Sequence, residues 1–220
     1  MLRSIDIAPQ AGDNFAVANF TASIPENVKG VLVLIPGSNG DGRLWIHDYK
    51  WRRFARRHSL AVLGVYFADK ERSWIEQYIE ASKGSGRALL TALDKLGLAG
   101  LPLYMFGFSA GGEFNYEFTC WLAPKEPGRI KAFIVNKGGV YMTALAPQAA
   151  RDTPSIWFSG LKDAAFRQNI LRGIYGLNYV AGCRWEEVQE HCTHDICGSE
   201  VRSIYLFEHL LAQLPEAPLV

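Results

Sequence analysis

The chain has 220 residues, of which 49% are hydrophobic and 20% are charged. This composition excludes general disorder, and the length is typical of one domain, which we expect to span residues 1–220. Lys and Arg number 23 against 22 Asp and Glu, for a formal net charge of +1. That balance predicts neither nucleic acid nor an anionic membrane as a partner.

The N-terminal residues lack the apolar segment of a secretory signal, and the longest apolar runs have the length of strands. A membrane-spanning helix needs ~20 apolar residues, and no such run occurs in the sequence. Four cysteines in the whole chain do not indicate a disulfide-rich scaffold. These features predict a cytoplasmic protein without a membrane segment.

Apolar runs of strand length recur along the chain. The first, residues 15–22, alternates loosely between apolar and polar and is predicted to form an antiparallel edge strand. The runs after it are continuously apolar, which is typical of strands buried on both faces of a parallel sheet. They cover residues 30–36, 60–66, 101–106, 130–135 and 155–158, and a last strand is expected over residues 185–189.

Helices are predicted between these strands from apolar residues at helical spacing. The predicted helices cover residues 44–57, 74–96, 113–122, 164–175 and 200–214. The alternation of strands and helices predicts an α/β fold, with a three-layer α/β/α sandwich around a mostly parallel sheet.

One motif in this pattern carries chemistry. The residues Gly107-Phe108-Ser109-Ala110-Gly111 follow a predicted strand and precede a predicted helix. On so tight a turn the serine is held in strained backbone geometry with its hydroxyl exposed, and a Cβ at either glycine would meet neighbouring backbone. Ser109 is therefore the candidate nucleophile, and the alternative is a structural turn with an idle serine.

From about residue 30 to residue 214, this arrangement resembles the α/β-hydrolase fold family. Within that family it is similar to the small, lid-less serine esterases of the dienelactone-hydrolase-like and depolymerase-like groups. The resemblance implies a catalytic serine, acid and histidine in that chain order. It also implies an open site without a cap domain, because residues 136–154 leave no room for the helical insertion found in lipases.

Asp163 is the acid that the resemblance implies, since it follows the strand predicted at residues 155–158 in the family's strand–Gly–x–x–Asp pattern. Asp152 lies before that strand, at the wrong end of the sheet. The place after the preceding strand, which holds the acid in some members, reads Asn136-Lys137 and has no carboxylate. Asp163 could also act as the N-cap of the next helix.

The histidine is implied for the loop after the last strand, and that loop contains His191 and His194. We favour His194, whose surroundings resemble the family's loop, and keep His191 as the alternative. Two cysteines bracket His194, and Cys192 could be bonded to Cys197. With the two histidines and Asp195 they could instead bind zinc, but the spacing fits no standard zinc motif. We therefore expect no metal and no cofactor.

Oxyanion stabilisation needs two backbone N–H groups. One is expected from Ala110, just after the candidate nucleophile. The other is expected from the glycine-rich loop over residues 36–42, from Ser38 first and Asn39 next. The family usually has His-Gly where this chain has Pro36-Gly37, a departure that keeps the glycine. A phosphate-binding loop is the alternative, but no Gly-Lys-Ser/Thr follows.

Residues on loops near the carboxyl ends of the strands are candidates for the walls of a substrate pocket. They are Trp45, Phe108, Tyr141 and Met142. The basic run over residues 50–58 is predicted to be a solvated helix face, with Trp51 and Phe54 buried, rather than a nucleic-acid or lipid surface.

These features predict a cofactor-free serine hydrolase that cleaves a small-molecule carboxylic ester through an acyl-enzyme intermediate. Two alternatives stay open. One is a binding or sensor protein on the same scaffold with little turnover, and the other is a thioesterase, lactonase or peptidase with the same acyl-transfer chemistry. The sequence does not predict the acyl group, the alcohol or the oligomeric state.

Overall fold

The structure is a computed structural model that describes residues 1–71 and 75–212. Within these residues eight strands form one sheet. The strands are β1 (Leu2–Asp6), β2 (Val17–Ser23), β3 (Gly30–Ile35), β4 (Leu60–Ala68), β5 (Leu103–Phe108), β6 (Ile130–Asn136), β7 (Ser155–Gly160) and β8 (Trp185–Glu190). Their order is β1-β2-β4-β3-β5-β6-β7-β8. Strand β2 pairs antiparallel with β1 and β4, and the other neighbouring pairs are parallel.

Six α-helices connect or follow the strands in the described part of the chain. They are α1 (Tyr49–Arg57), α2 (Ser85–Lys95), α3 (Ala110–Leu122), α4 (Gln148–Arg151), α5 (Ala165–Val180) and α6 (Ser199–Ala212). Helices α1 and α6 cover one face of the sheet, while α2, α3 and α5 cover the other. The predicted three-layer fold is therefore confirmed. The connection from β6 to β7 carries only the one-turn α4, and no cap domain is evident among the described residues.

Strand β3 illustrates why the central strands are continuously apolar. Successive side chains of a strand point to opposite faces of the sheet. Val31, Val33 and Ile35 accordingly pack into the core under α2 and α3, and Leu32 and Leu34 pack into the core under α1 and α6. Because both faces are covered by helices, neither set can be polar.

Two sequence predictions about local structure were wrong. Residues 17–23 form an antiparallel strand, but β1 lies outside it, so β2 is not at the edge. Strand β1 is mostly exposed and carries no apolar run that would reveal it.

The helix predicted over residues 74–96 begins only at Ser85. Gly84 precedes it with φ of 124°, a conformation that ends any preceding helical turn, and residues 77–83 form two short 3₁₀ turns. Trp74 and Leu214, which belonged to predicted helices, lie outside the described residues.

The burial predicted for two residues of the basic helix α1 is confirmed, since Trp51 and Phe54 pack in the core. At its outer surface Lys50 pairs with Glu200, and Arg57 pairs with Glu208. No helix in the described ranges is both long enough and apolar enough to cross a bilayer.

Candidate active site

Strand β5 runs directly into helix α3 through the Ser109 turn (residues 107–111). Ser109 has φ of 52° and ψ of −122°, a backbone conformation that costs a non-glycine residue free energy. The glycines make the turn feasible. A Cβ on Gly107 would overlap the backbone of Gly111, and one on Gly111 would overlap the carbonyl group of Ile35. The steric role predicted for both glycines is thus confirmed.

The turn brings Ser109 against the side chain of His194, which in turn contacts Asp163. His194 Nε2 lies 3.0 Å from Ser109 Oγ, and His194 Nδ1 lies 2.7 Å from Asp163 Oδ2. Serine, histidine and carboxylate therefore form one continuous hydrogen-bonded row. His191, the alternative histidine, is exposed in the same loop.

Asp163 stands at the end of β7, where its side chain is only 3% exposed. Its other oxygen, Oδ1, accepts the backbone N–H of Ala164 at 2.7 Å and faces the Arg167 guanidinium at 3.4 Å. Hydrogen bonds to both oxygens fix the orientation of the carboxylate. The carboxylate is thereby positioned to orient the imidazole of His194.

The histidine loop (residues 191–198) joins β8 to α6 and is closed by a disulfide between Cys192 and Cys197. The carbonyl of Cys192 accepts the N–H of Lys162 at 2.8 Å, which ties this loop to the segment before Asp163. Disulfides are uncommon in the reducing cytosol, so the cytoplasmic location stays a prediction.

A metal site in the histidine loop is disfavoured by its chemistry. The sulfurs of Cys192 and Cys197 and a carboxylate oxygen of Glu190 lie within 4.8 Å of one another. The two sulfurs are bonded to each other, however, so neither is available as a thiolate ligand. Both ring nitrogens of His194 already face partners in the row with Asp163 and Ser109.

Two of the three residues predicted for the oxyanion hole, Ser38 and Ala110, line the cleft together with Ser109. Ala110 is the first residue of α3, and backbone N–H groups in a first helical turn have no acceptor within the helix. Ser38 and Asn39 lie on the loop after β3, and Ser38 lines the cleft in front of Ser109. The Ser38 hydroxyl donates to Glu76, and Asn39 Nδ2 donates to Ser38 Oγ at 2.9 Å.

An open cleft of about 490 Å³ lies in front of Ser109. Its walls combine apolar and charged side chains. The lining residues are Ser38, Ile75, Glu76, Ser109, Ala110, Glu113, Gly139, Val140, Phe166 and Arg167. The opening is consistent with the absence of a cap between β6 and β7.

The four side chains predicted for the pocket walls lie elsewhere. The Trp45 ring packs on Phe106, 6.0 Å between centroids, and Tyr141 packs on Trp157, 5.4 Å between centroids. Met142 is 46% exposed. The Phe108 ring lies 5.1 Å from the His194 ring, so it supports the imidazole rather than the cleft wall.

Two carboxylates one turn apart on α3 shape the cleft wall. Glu113 Oε1 accepts the N–H groups of Gly139 (2.6 Å) and Val140 (3.0 Å). Glu117 Oε1 accepts those of Met142 (2.7 Å) and Thr143 (2.9 Å). The loop after β6 is thereby held against α3, which explains why Met142 does not reach the cleft.

Two acidic groups, one in the cleft wall and one that contacts it, have raised pKa values. Burial raises the pKa of Glu113 to about 7, against the opposing effect of its two N–H donors. Beside Glu76, burial and a hydrogen bond with the Glu76 carboxyl raise the pKa of Asp69 to about 6. Both groups therefore change charge near neutral pH, within or beside the cleft.

Several cleft residues were missed from the sequence. Glu113 lies four residues after Ser109 and Arg167 four residues after Asp163, so helical spacing would have placed each on the side of its neighbour. No comparable signal marks Glu76 or Phe166. Their positions depend on how the segments after β4 and β7 pack across the cleft.

The architecture has counterparts among solved structures. A poly(3-hydroxybutyrate) depolymerase from Bordetella parapertussis matches with a TM-score of 0.69 and 16% identity, over 99% of this chain and 92% of its own. An esterase from Pyrobaculum calidifontis matches with a TM-score of 0.66 and 15% identity, over 96% of this chain and 85% of its own. The chain has the α/β-hydrolase fold.

A third structure with the α/β-hydrolase fold is a fluorophosphonate-binding serine hydrolase from Staphylococcus aureus. It matches with a TM-score of 0.61 and 13% identity, over 96% of this chain and 98% of its own. No protein-family model and no curated protein matches the sequence. The similarity therefore establishes the fold, and the chemistry has to be argued from the site itself.

Proposed function

We propose that the protein is a serine hydrolase that cleaves carboxylic esters through an acyl-enzyme intermediate. The hydrogen-bonded row of Ser109, His194 and Asp163 is the observation that carries the proposal. A serine hydroxyl is a weak nucleophile near neutral pH and needs an adjacent base that is itself oriented. The row supplies both.

In the proposed mechanism, Ser109 Oγ attacks the ester carbonyl carbon while His194 Nε2 takes its proton. The tetrahedral intermediate collapses, and His194 returns the proton to the leaving alcohol, which leaves an acyl group on Ser109. Water, activated by the same imidazole, then releases the acid. Asp163 holds the Nδ1–H tautomer and stabilises the imidazolium in both halves.

The negative oxygen of the intermediate needs donors aimed at it. The N–H of Ala110, at the start of α3, is proposed as one donor, and the N–H of Ser38 or Asn39 as the other. The N-terminal end of α3 adds a favourable dipole. The similarity to solved structures described as esterases agrees with this assignment.

The open cleft supports small or accessible esters as substrates. Its wall includes the apolar side chains of Ile75, Val140 and Phe166, which suit an acyl chain, and the polar Glu76 and Arg167. No cap domain over the active site is evident in the described residues, so we do not expect activation at a lipid interface.

A kinetic series of p-nitrophenyl esters from acetate to decanoate tests the proposal. Wild-type protein should give saturable turnover, and Ser109→Ala should lower kcat by ~10⁶-fold, to background, with an unchanged Tm. His194→Ala should lose activity to a similar degree. His191→Ala is the matched control, and it should retain kcat within about twofold.

Other outcomes identify the alternatives. Activity in Ser109→Ala contradicts the assignment of the nucleophile, and loss in His191→Ala but not in His194→Ala moves the base to His191. Stoichiometric labelling of Ser109 by a fluorophosphonate without turnover of any ester indicates a binding or sensor protein. Preference for a thioester, lactone or peptide in a parallel panel narrows the substrate class.

A further inference from the structure

The end of strand β6 contains two buried polar residues that the proposed mechanism does not use. We propose that Asn136 and Lys137 are positioning residues, which hold the histidine loop at both ends and thereby place His194 against Ser109. This inference rests on the proposed function for its catalytic consequence. Its structural part stands on contacts within the described residues.

Lys137 is an unusual residue for this place. Its side chain is fully buried, with 0% exposure, and its backbone has φ of 59°. The ammonium Nζ donates to Glu190 Oε2 at 2.5 Å and to Asn136 Oδ1 at 3.0 Å. Because a buried charge is costly unless it is paired, the ammonium ties these two partners together.

The two residues contact both ends of the histidine loop. Glu190, the partner of Lys137, is the last residue of β8 and directly precedes the loop. Ser199 is the first residue of α6 and directly follows it. Asn136 Nδ2 donates to Ser199 Oγ at 2.6 Å, and both side chains are buried. Neighbouring residues at the end of β6, Asn136 within it and Lys137 just after it, thus hold the exit and the entry of the loop.

The same strand end is bonded to the nucleophile. The backbone N–H of Ser109 donates to the carbonyl of Asn136 at 2.7 Å. Asn136 is therefore linked to Ser109 through its backbone and to the histidine loop through its side chain. The distance between Ser109 and His194 depends on this shared anchor, and ~1 Å of misplacement in a catalytic group can cost about a hundredfold in rate.

The loop also packs closely over Lys137. A Cβ on Gly160, at the end of β7, would lie 2.6 Å from the Thr193 carbonyl oxygen and 3.2 Å from Lys137 Cε. The aliphatic stem of the lysine and the Cys192 and Thr193 carbonyls therefore pack around the same point at Gly160. The ammonium pairs with the residue that precedes the histidine loop, and the stem lies near the backbone that precedes His194.

A neighbouring ion pair on β8 offers a matched comparison. Glu187 pairs with Arg172 of α5 at 3.2 Å, and this pair is more exposed and touches neither end of the histidine loop. Glu187→Met removes a strand glutamate and its ion pair in the same way as Glu190→Met. Glu187→Met should therefore show how much the loss of an ion pair on β8 changes Tm and kcat when the pair does not contact the histidine loop.

The test uses Lys137→Met, Glu190→Met, the double variant and Glu187→Met, with Tm, kcat and KM measured on one p-nitrophenyl ester. Each single variant at the Lys137–Glu190 pair should lower Tm, since it leaves one buried charge unpaired. The double variant should regain Tm, since both charges are gone. All three should lower kcat by about tenfold to a hundredfold with KM within twofold, and Glu187→Met should keep kcat within twofold.

A double variant that regains both Tm and wild-type kcat overturns the positioning role, because packing alone then suffices. So does a Lys137→Met protein with lowered Tm and unchanged kcat. If Lys137→Met does not fold, Glu190→Gln replaces it. This variant keeps an oxygen acceptor for Lys137, so it should retain more kcat than Glu190→Met, and equal losses in the two count against the proposal.

A spectroscopic readout separates this inference from the proposed function. In protein labelled with ¹⁵N-histidine, the Nδ1 proton of His194 bonded to Asp163 should give a protected imidazole resonance, assigned by its loss in His194→Ala. It should broaden in the Lys137→Met/Glu190→Met protein and persist in Glu187→Met. That pattern without any ester turnover refutes the proposed function alone, whereas an unchanged resonance in an active enzyme refutes the positioning role alone.

Discussion

The Ser109 turn and the histidine loop meet within hydrogen-bonding distance, but different forces hold them. The Ser109 turn is shaped by backbone contacts between near neighbours, with glycines where any Cβ would overlap main chain. The histidine loop is held by the Cys192–Cys197 bond within it and by the side chains of Asn136 and Lys137, which are distant in sequence. One region of the site is therefore specified locally and the other by long-range packing.

The difference predicts how each region fails. A change at the glycines of the Ser109 turn should affect folding first, because the turn lies in the core between β5 and α3 and has no room for a Cβ at these positions. A change around the histidine loop should affect catalysis first, because the loop lies at the surface and can move while the sheet stays folded.

The largest effect is expected from Gly111→Ala. The added Cβ would overlap the carbonyl group of Ile35 in the neighbouring strand. We expect no folded protein, or a loss of more than ~4 kcal/mol in the free energy of unfolding, measured by urea denaturation. Gly173→Ala is the control, since a Cβ there meets nothing within 4 Å in helix α5 and should stabilise by up to ~1 kcal/mol. Similar unfolding midpoints for the two variants would contradict local steric control.

A smaller effect, dependent on pH, is expected from Glu113, one helical turn after Ser109. Its pKa of about 7 in the folded state exceeds the ordinary value of 4.5, so the folded protein binds more protons between these values. The stability contributed by the neutral form is therefore complete below about pH 4.5 and is lost as pH rises to about 7, by ~3 kcal/mol at most.

Glu113→Gln keeps an oxygen for the N–H groups of Gly139 and Val140 but does not titrate. Its free energy of unfolding, relative to wild type, should rise between pH 5 and pH 8. Glu186→Gln, at an exposed position on β8, should follow the wild-type curve. Parallel curves for wild type and Glu113→Gln would show that this carboxyl does not gain its charge near neutral pH.

The smallest effect on stability is expected from the double variant Cys192→Ser/Cys197→Ser. Opening so short a loop should cost about 2 kcal/mol in the free energy of unfolding. Because His194 lies within that loop, kcat should fall about tenfold with little change in KM. Cys183→Ser, at an unbonded cysteine, is the control and should change neither quantity. An unchanged kcat in the double variant would mean that the contacts at Glu190 and Ser199 suffice to hold the loop.

Most of the fold was predictable because the central strands are buried on both faces and must be continuously apolar. Strand β1 at the sheet edge was not predicted, since it is exposed and has no apolar run. The start of α2 was predicted too early, since the positive φ of Gly84 delays the helix to Ser85. Of the residues in the cleft, the sequence indicated Ser38, Ser109 and Ala110, whereas Glu76 and Phe166 emerged only from packing. Glu113 and Arg167 were missed, although their spacing from Ser109 and Asp163 was a signal for them. The predicted pocket residues Trp45, Phe108, Tyr141 and Met142 lie outside the cleft lining.

By itself, the sequence determined the alternation of strands and helices and the turn at Ser109, and its resemblance to the α/β-hydrolase family implied Asp163 and His194. The first two follow from continuously apolar strands that are buried on both faces and from the few backbone shapes that glycines permit. Only the tertiary structure decided which loop residues face the cleft and that Lys137 is buried against Glu190, because those contacts join segments distant in sequence. It also decided that Cys192 is bonded to Cys197, which the sequence had left open.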